Sequence, residues 1–316
     1  MLIIFSAFAA IIPMTIYLLL IWRFDKYDRE PFGLVLANYL WGAIGAIFLA
    51  LIGSFILTFI FSIFIKDEHS LGLFGAIAVA PFVEEITKGL FLLITVSSRK
   101  FDNITDGIVY GGAIGLGFGM TENFLYFVSN ADNLASWITI IVVRTLFSAV
   151  MHCVSTATLG AFLGYSKFMS RGKRMFYAFI GLCFAMFIHA AWNSSVSFQS
   201  TAPLGFLFLF ITIIIFITVF TTSIARERRI IFNELSEEVS NGLIPSSHLN
   251  ILSSSLREKT GWISENIRKD YIKSATTLAF RKLQARNSNG ASKVYYENDI
   301  DNYRKFISFL LSGSKV

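Results

Sequence analysis

Ala80-Pro-Phe-Val-Glu-Glu-Ile-Thr-Lys-Gly-Leu90 decides how this chain folds. It lies in an apolar run over about 71–96, long enough to span a bilayer. Two carboxylates and an amine, Glu84, Glu85 and Lys88, sit near the middle of that run. Charges at such depth are costly and face a polar cavity or a partner. On a helix Lys88 is one turn from both glutamates, at i+4 and i+3. Adjacent helical residues point about 100° apart, so the two glutamates meet different surroundings. One is free to face a reaction centre while the other anchors the helix. A structural ion pair alone would leave the second carboxylate unexplained.

The rest of the chain agrees with a membrane setting. Of 316 residues, 54% are hydrophobic, 33 are Phe and only 15% are charged, the profile of a polytopic membrane protein. Residues 225–316 hold 15 Lys/Arg against 10 Asp/Glu, so most of the net +6 lies there. A basic tail beside a membrane points to orientation and anionic lipid; no nucleic acid partner is expected. Cys153 and Cys183 both fall in apolar segments and read as packing residues, not a disulfide. No Cys/His spacing resembles a structural zinc site.

Seven apolar segments are expected to be helical spans: about 2–22, 33–65, 71–97, 104–128, 137–165, 174–197 and 203–224. The first has no preceding basic region and reads as an uncleaved span. Loops 23–32, 98–103 and 166–173 carry three, two and three Lys/Arg, while the alternate loops carry one or none. The positive-inside rule then puts the N-terminus outside and the C-terminus in the cytoplasm of a multi-pass cell-membrane protein. The fold class expected is all-α: a polytopic helical bundle over 1–224 and a small, basic, cytoplasmic helical domain over 225–316. In that domain a helix at 224–239 leaves the membrane, Asn241-Gly242 makes a turn, and helices follow near 247–257, 261–286 and 293–311. Trp262, Tyr295 and Tyr296 read as its core.

Gly107, Gly111, Gly115 and Gly119 recur every four residues, a face that lets another helix approach closely. Glu122 follows on that face and should point into the bundle. Arg144, Ser148, His152 and Thr156 form an i+4 polar stripe in the fifth segment, and His189 and Asn193 stand at i+4 in the sixth. Three glutamates, two histidines and an arginine in one apolar bundle favour function over packing. A carboxylate in a low-dielectric cavity can act as general base towards water. Nearby His and Asn can donate to a developing oxyanion, and His can protonate a leaving amine. Together these parts describe peptide hydrolysis inside a membrane. A proton-coupled transporter is the alternative, although no inverted repeat is present. A non-catalytic scaffold is another.

At this point the motifs resemble a family. Glu84-Glu-Ile-Thr-Lys88 is similar to the EExxK motif of PrsW-type intramembrane proteases, grouped with the CAAX prenyl proteases and bacteriocin-processing enzymes. Phe118-Gly-Met-Thr-Glu122 resembles the second motif, Arg144 with His152 the third, His189-Ala-Ala-Trp-Asn193 the fourth, and Asp28-Arg-Glu-Pro31 the acidic-Pro segment. The resemblance implies a glutamic-type protease acting on a membrane-anchored protein, such as an anti-sigma factor. Glu84 would activate water, with Glu85 and Lys88 supporting it, Arg144 alongside, and His189 and Asn193 holding the oxyanion. Prenyl proteases have histidine where this chain has Glu122, so His152 is the expected proton shuttle. No cofactor is expected; zinc stays an option because Glu and His are zinc ligands.

Helical rise places Glu84 and His152 ~20–22 Å from the outer end of their spans, and Glu122, Arg144 and His189 ~9–12 Å from it. The polar groups therefore run from mid-membrane to the outer face. A cavity opening outward, with cleavage near the external boundary of single-span substrates, is expected.

Overall fold

The computed structural model describes residues 2–98 and 101–313. Arg99 and Lys100, both cations counted in the 98–103 loop, lie outside the described residues. Among the described residues every regular element is helical. Long helices follow the seven apolar segments: α1 (Leu2–Phe24), α2 (Phe32–Ser62), α3 (68–96), α4 (Ile104–Ser129), α5 (Leu134–Ser166), α6 (Arg171–Ser197) and α7 (Ala202–Ser240). Beyond them come α8 (Ser246–Leu252), a 3-10 turn (Ser255–Glu258), α9 (Glu265–Arg286) and α10 (Gly290–Gly313). The helix expected at 224–239 is the continuous end of α7.

α1, α2, α5, α6 and α7 are each long and apolar enough to cross a membrane. α3 and α4 are not, although both fall in apolar segments counted above. Glu84, Glu85 and Lys88 lower the hydropathy of α3; glycine, Asp106 and Glu122 lower that of α4. α4 is shielded by its neighbours, whereas α3 keeps Phe82, Leu90, Leu93 and Ile94 exposed. α4 is buried without interruption from Thr105 to Gly119, and the three charged residues at the centre of α3 are buried. A helix covered by protein needs no apolar surface of its own towards lipid.

Three of the long helices start on a side-chain cap. Asn103 and Asp106 form a reciprocal capping box at α4, Asp67 accepts from Ser70 N (2.8 Å) at α3, and Asn133 accepts from Ala135 and Ser136 N at α5. α2, α3 and α5 are each interrupted by one π-helical stretch, at Trp41–Ala46, Gly75–Val79 and Arg144–Ser148. An inserted π turn rotates everything beyond it around the helix axis and leaves carbonyls open to other donors.

The glycine face of α4 meets the backbone of α5. A Cβ on Gly107, Gly111 or Gly115 would overlap the carbonyls of Gly160, Thr156 and His152 respectively. These pairings set the antiparallel register of α4 and α5 and let the two backbones touch. On another face Gly117 packs equally tightly on the Tyr39 carbonyl of α2. Cys153 is buried as expected, but Cys183 is exposed on α6, facing away from the bundle.

The chain divides into two compact units. One comprises the residues up to Asp25 with Arg29–Phe220; the other comprises Lys26–Asp28 and the chain from Thr221 on. In the second unit, Ile231, Leu235, Leu278, Ala279, Tyr296 and Ile307 form the core, with Trp262 and Tyr295 at its edge. Within it Lys282 Nζ donates to Glu238 (2.7 Å), and Arg304 grips both Glu238 oxygens (2.8 and 3.0 Å). Gly242 turns the chain after α7 at φ +75°, a conformation that costs glycine little.

Candidate active site

Glu85 is the hub. It is fully buried on α3, and its Oε1 accepts from Lys88 Nζ (2.8 Å), His189 Nδ1 (3.0 Å) and Ser155 Oγ (3.1 Å). Its Oε2 accepts from Thr156 Oγ1 (3.1 Å). One carboxylate thus ties α3 to α5 and α6. A buried carboxylate is tolerable only when satisfied to this degree.

Lys88 is also fully buried. Its ammonium reaches Glu85 at 2.8 Å, His152 Nδ1 at 3.0 Å and Glu84 Oε2 at 3.6 Å, and it lies 4.0 Å from the centroid of the Phe118 ring. An ammonium only donates, so His152 Nδ1 accepts and His152 Nε2–H donates to Glu122 Oε2 at 2.6 Å. His152 therefore has both ring nitrogens engaged. His189 differs. Glu85 takes its Nδ1–H, which leaves Nε2 with a free lone pair, 3.8 Å from Glu84 Oε2. The two imidazoles stand perpendicular, 4.7 Å apart.

Glu84 sits at the rim of this network. Its Oε2 is buried and has no hydrogen-bond partner among the described residues. Glu122 Oε2 also accepts from Arg144 Nη2 (2.6 Å), whose Nε donates to Asn123 Oδ1 (3.0 Å) and whose guanidinium covers the Tyr126 ring at 3.7 Å. Three carboxylates thus stand around two basic side chains, Lys88 and Arg144, and Glu84 is the carboxylate with the fewest partners.

The structure brings Glu84, Glu85, Lys88, Glu122, Arg144, His152 and His189 into one connected cluster. Asn193 stands apart: its Nδ2 donates to the Ala76 carbonyl (2.9 Å) in the π turn of α3. Helical rise put Glu122 and His152 on different levels, yet they share a hydrogen bond. Side chains lean towards the N-terminus of their own helix. α4 and α5 are antiparallel, so the two side chains lean towards each other and close the gap. Ser155, Asn123 and Tyr126 contribute although no sequence motif singles them out. Ser155 and Thr156 follow His152 by three and four residues, the only sequence signal that one helix face supplies all three.

Donor atoms of Glu84, His152 and His189 all lie within 4.8 Å of one another. Glu84 and His189 present free lone pairs, and Glu85 orients His189 as an outer carboxylate orients a metal-bound imidazole. His152 would join them by exchanging Lys88 or Glu122 for the ion. The donor set fits a small divalent ion such as zinc.

Residues 30–221 match the profile of the family described as "PrsW family intramembrane metalloprotease". The chain is 29% identical over 186 residues to Protease PrsW of Clostridioides difficile (strain 630), covering 58% of this chain and 76% of that one. It is 27% identical over 207 residues to Protease PrsW of Bacillus subtilis (strain 168), covering 65% and 87%. To the Oceanobacillus iheyensis Protease PrsW it is 31% identical over 167 residues, covering 52% and 71%. No solved structure matches. The cluster just described lies wholly within the matched residues, whereas α8–α10 lie outside them. Family membership favours proteolysis over the carrier and scaffold readings. The buried carboxylate–histidine cluster and the match over 30–221 lead to one conclusion: the chain belongs to the PrsW family of intramembrane proteases.

Proposed function

We propose that this protease hydrolyses a peptide bond of membrane-anchored proteins with water activated by Glu84. The observation that carries this reading is the buried, unpartnered Glu84 Oε2, facing the free lone pair of His189 Nε2 at 3.8 Å. A water donating to both would present its oxygen to the scissile carbonyl. Glu84 takes the proton as the C–O bond forms and returns it to the nitrogen as the C–N bond breaks. Asn193 has a second amide N–H beyond the one on Ala76, and that N–H would receive the oxyanion. His189 has spent its Nδ1–H on Glu85, so its role is to orient water. His152, expected as the shuttle, serves as a link between Lys88 and Glu122.

A second reading rests on the three donors within 4.8 Å. Glu84, His189 and His152 would hold a divalent ion, which supplies acidification of water and polarisation of the carbonyl. In both readings Glu85 and Lys88 fix the cluster.

The proposed setting is a multi-pass protein of the cell membrane with a cytoplasmic C-terminus, acting on single-span substrates of the anti-sigma class. Glu122, Arg144 and Asn193, towards the 130–133 and 198–201 connections, are partly exposed, while Glu85 and Lys88 are fully buried. That gradient supports a site opening to the outer face.

The test is cleavage of a membrane-anchored reporter by purified protein, with and without chelator, for wild type and Glu84→Gln. Activity that survives chelation and is absent from Glu84→Gln supports the first reading. Loss on chelation with recovery on added zinc selects the second. Cleavage by Glu84→Gln rejects both.

A further inference from the structure

Away from the carboxylate cluster, α4–α7 of the first unit enclose a cavity of about 500 Å³. None of the cluster's side chains lines it. On three helices its walls have the same extent: Val154 to Tyr165 on α5, Tyr177 to Ile188 on α6, and Phe208 to Val219 on α7. Each stretch rises ~16 Å at ~1.5 Å per residue. That is about half of the ~30 Å hydrocarbon core, the depth of one leaflet. A spanning peptide helix would need the full thickness, so the length suits an acyl chain.

Away from its tyrosine end, the lining offers no unpartnered hydroxyl donor to a ligand. Its two threonines, Thr158 and Thr212, donate to their own helices at Val154 O and Phe208 O, both at 2.8 Å. A solvent-filled or polar-ligand site would not be built this way.

One end of the groove is chemically different. Tyr165 and Tyr177 close it edge to face, 5.2 Å apart, and neither hydroxyl has a hydrogen-bond partner among the described residues. Paired aromatic hydroxyls of this kind mark the headgroup level of a membrane. Immediately beyond, 166–174 reads Ser-Lys-Phe-Met-Ser-Arg-Gly-Lys-Arg, with four cations and no carboxylate. Lys167 is committed to the Val96 and Ser98 carbonyls. Arg171, Lys173 and Arg174 are exposed and form no ion pair among the described residues. Lys173 and Arg174 precede Tyr177 by one turn of the same helix.

We propose that this groove binds one acyl chain of an anionic glycerophospholipid, with the phosphate on Lys173 and Arg174 and the ester region beside Tyr165 and Tyr177. The apolar length selects the chain, and the uncompensated cations select the headgroup. Ile188 lines the groove next to His189, and Val154 lies two residues from His152. An occupied groove therefore braces the two helices that present the histidines. This inference does not depend on which hydrolytic mechanism operates.

The experiment is native mass spectrometry of the full-length protein released from vesicles of phosphatidylglycerol or of phosphatidylcholine. A retained phosphatidylglycerol adduct is expected, with phosphatidylcholine at least about tenfold weaker. Lys173→Gln/Arg174→Gln, a surface change that leaves the bundle intact, should erase that preference. Ala161→Trp, which fills the groove, should abolish retention of both lipids. Equal retention of the two lipids, no adduct at all, or headgroup preference unchanged in the double variant would overturn the proposal. So would a photoreactive residue at position 161 that captures a protein segment instead of lipid.

Discussion

Glu85→Gln and Glu84→Gln make the same chemical change one residue apart, and the structure demands opposite outcomes. Glu85 is completely buried, accepts four hydrogen bonds and is the nearest counter-charge of the buried Lys88, at 2.8 Å. Its amide would leave an ammonium with its remaining carboxylate at 3.6 Å and place an NH₂ among hydrogen-bond donors. Removing one partner of a buried pair costs ~3–5 kcal/mol. In a chain of this size that lowers Tm by about 5–10 °C. Glu84→Gln breaks no hydrogen bond at Oε2, so its stability cost should stay below ~1 kcal/mol. Its cost falls on the reaction instead: removing the base should slow cleavage ~10²–10⁴-fold. The assay pairs differential scanning fluorimetry in detergent with reporter cleavage. Glu85→Gln should lose both stability and activity, and Glu84→Gln activity alone. A Glu85→Gln protein as stable as wild type, or a Glu84→Gln protein equally destabilised, would refute the division of labour between the two carboxylates.

Gly115→Leu should destabilise the bundle by at least ~1–3 kcal/mol, because the new Cβ overlaps the His152 carbonyl and backbone cannot yield as a side chain can. Folded yield on size-exclusion chromatography checks this, and normal yield would show that α4 and α5 do not touch there. Arg144→Lys keeps the charge but cannot serve Glu122 and Asn123 together. The expected result is about tenfold slower cleavage with little change in Tm; unchanged kinetics would make Arg144 a spectator. In the second unit, burial pushes the His248 imidazole below its ordinary value, beside Tyr271. The folded state favours the neutral ring, so His248 adds stability above ~6.5, and that stability is lost as pH falls through the lowered folded value. NMR titration of His248 in the full chain should give a midpoint below ~6.5, and a higher midpoint contradicts the burial. Asn193→Ala removes both the Ala76 bond and the proposed oxyanion donor. It should lower the rate ~10²-fold or more while leaving substrate binding intact, and an equal rise in KM would point to a structural role alone.

Hydropathy and i+4 spacing are local quantities, and they alone yield the membrane setting, the all-helical class and most members of the buried polar cluster. Glu84, Glu85, Lys88, Glu122, Arg144, His152 and His189 can be picked out because ionisable groups are costly in apolar segments wherever the helices later pack. The same reasoning treats α4 like the other apolar segments, since it does not register that neighbouring helices cover it from Thr105 to Gly119. It also set Glu122 and His152 apart, since rise measured along separate helices ignores how antiparallel side chains lean together. Tertiary contacts decided the rest. They engaged both nitrogens of His152, left one nitrogen of His189 free, placed Ser155 and Thr156 on Glu85, and turned Asn193 to Ala76. Which lone pair stays free depends on which donors reach each acceptor across helices. That is a matter of register, π turns and the glycine contacts of α4, and spacing along any single helix does not carry it.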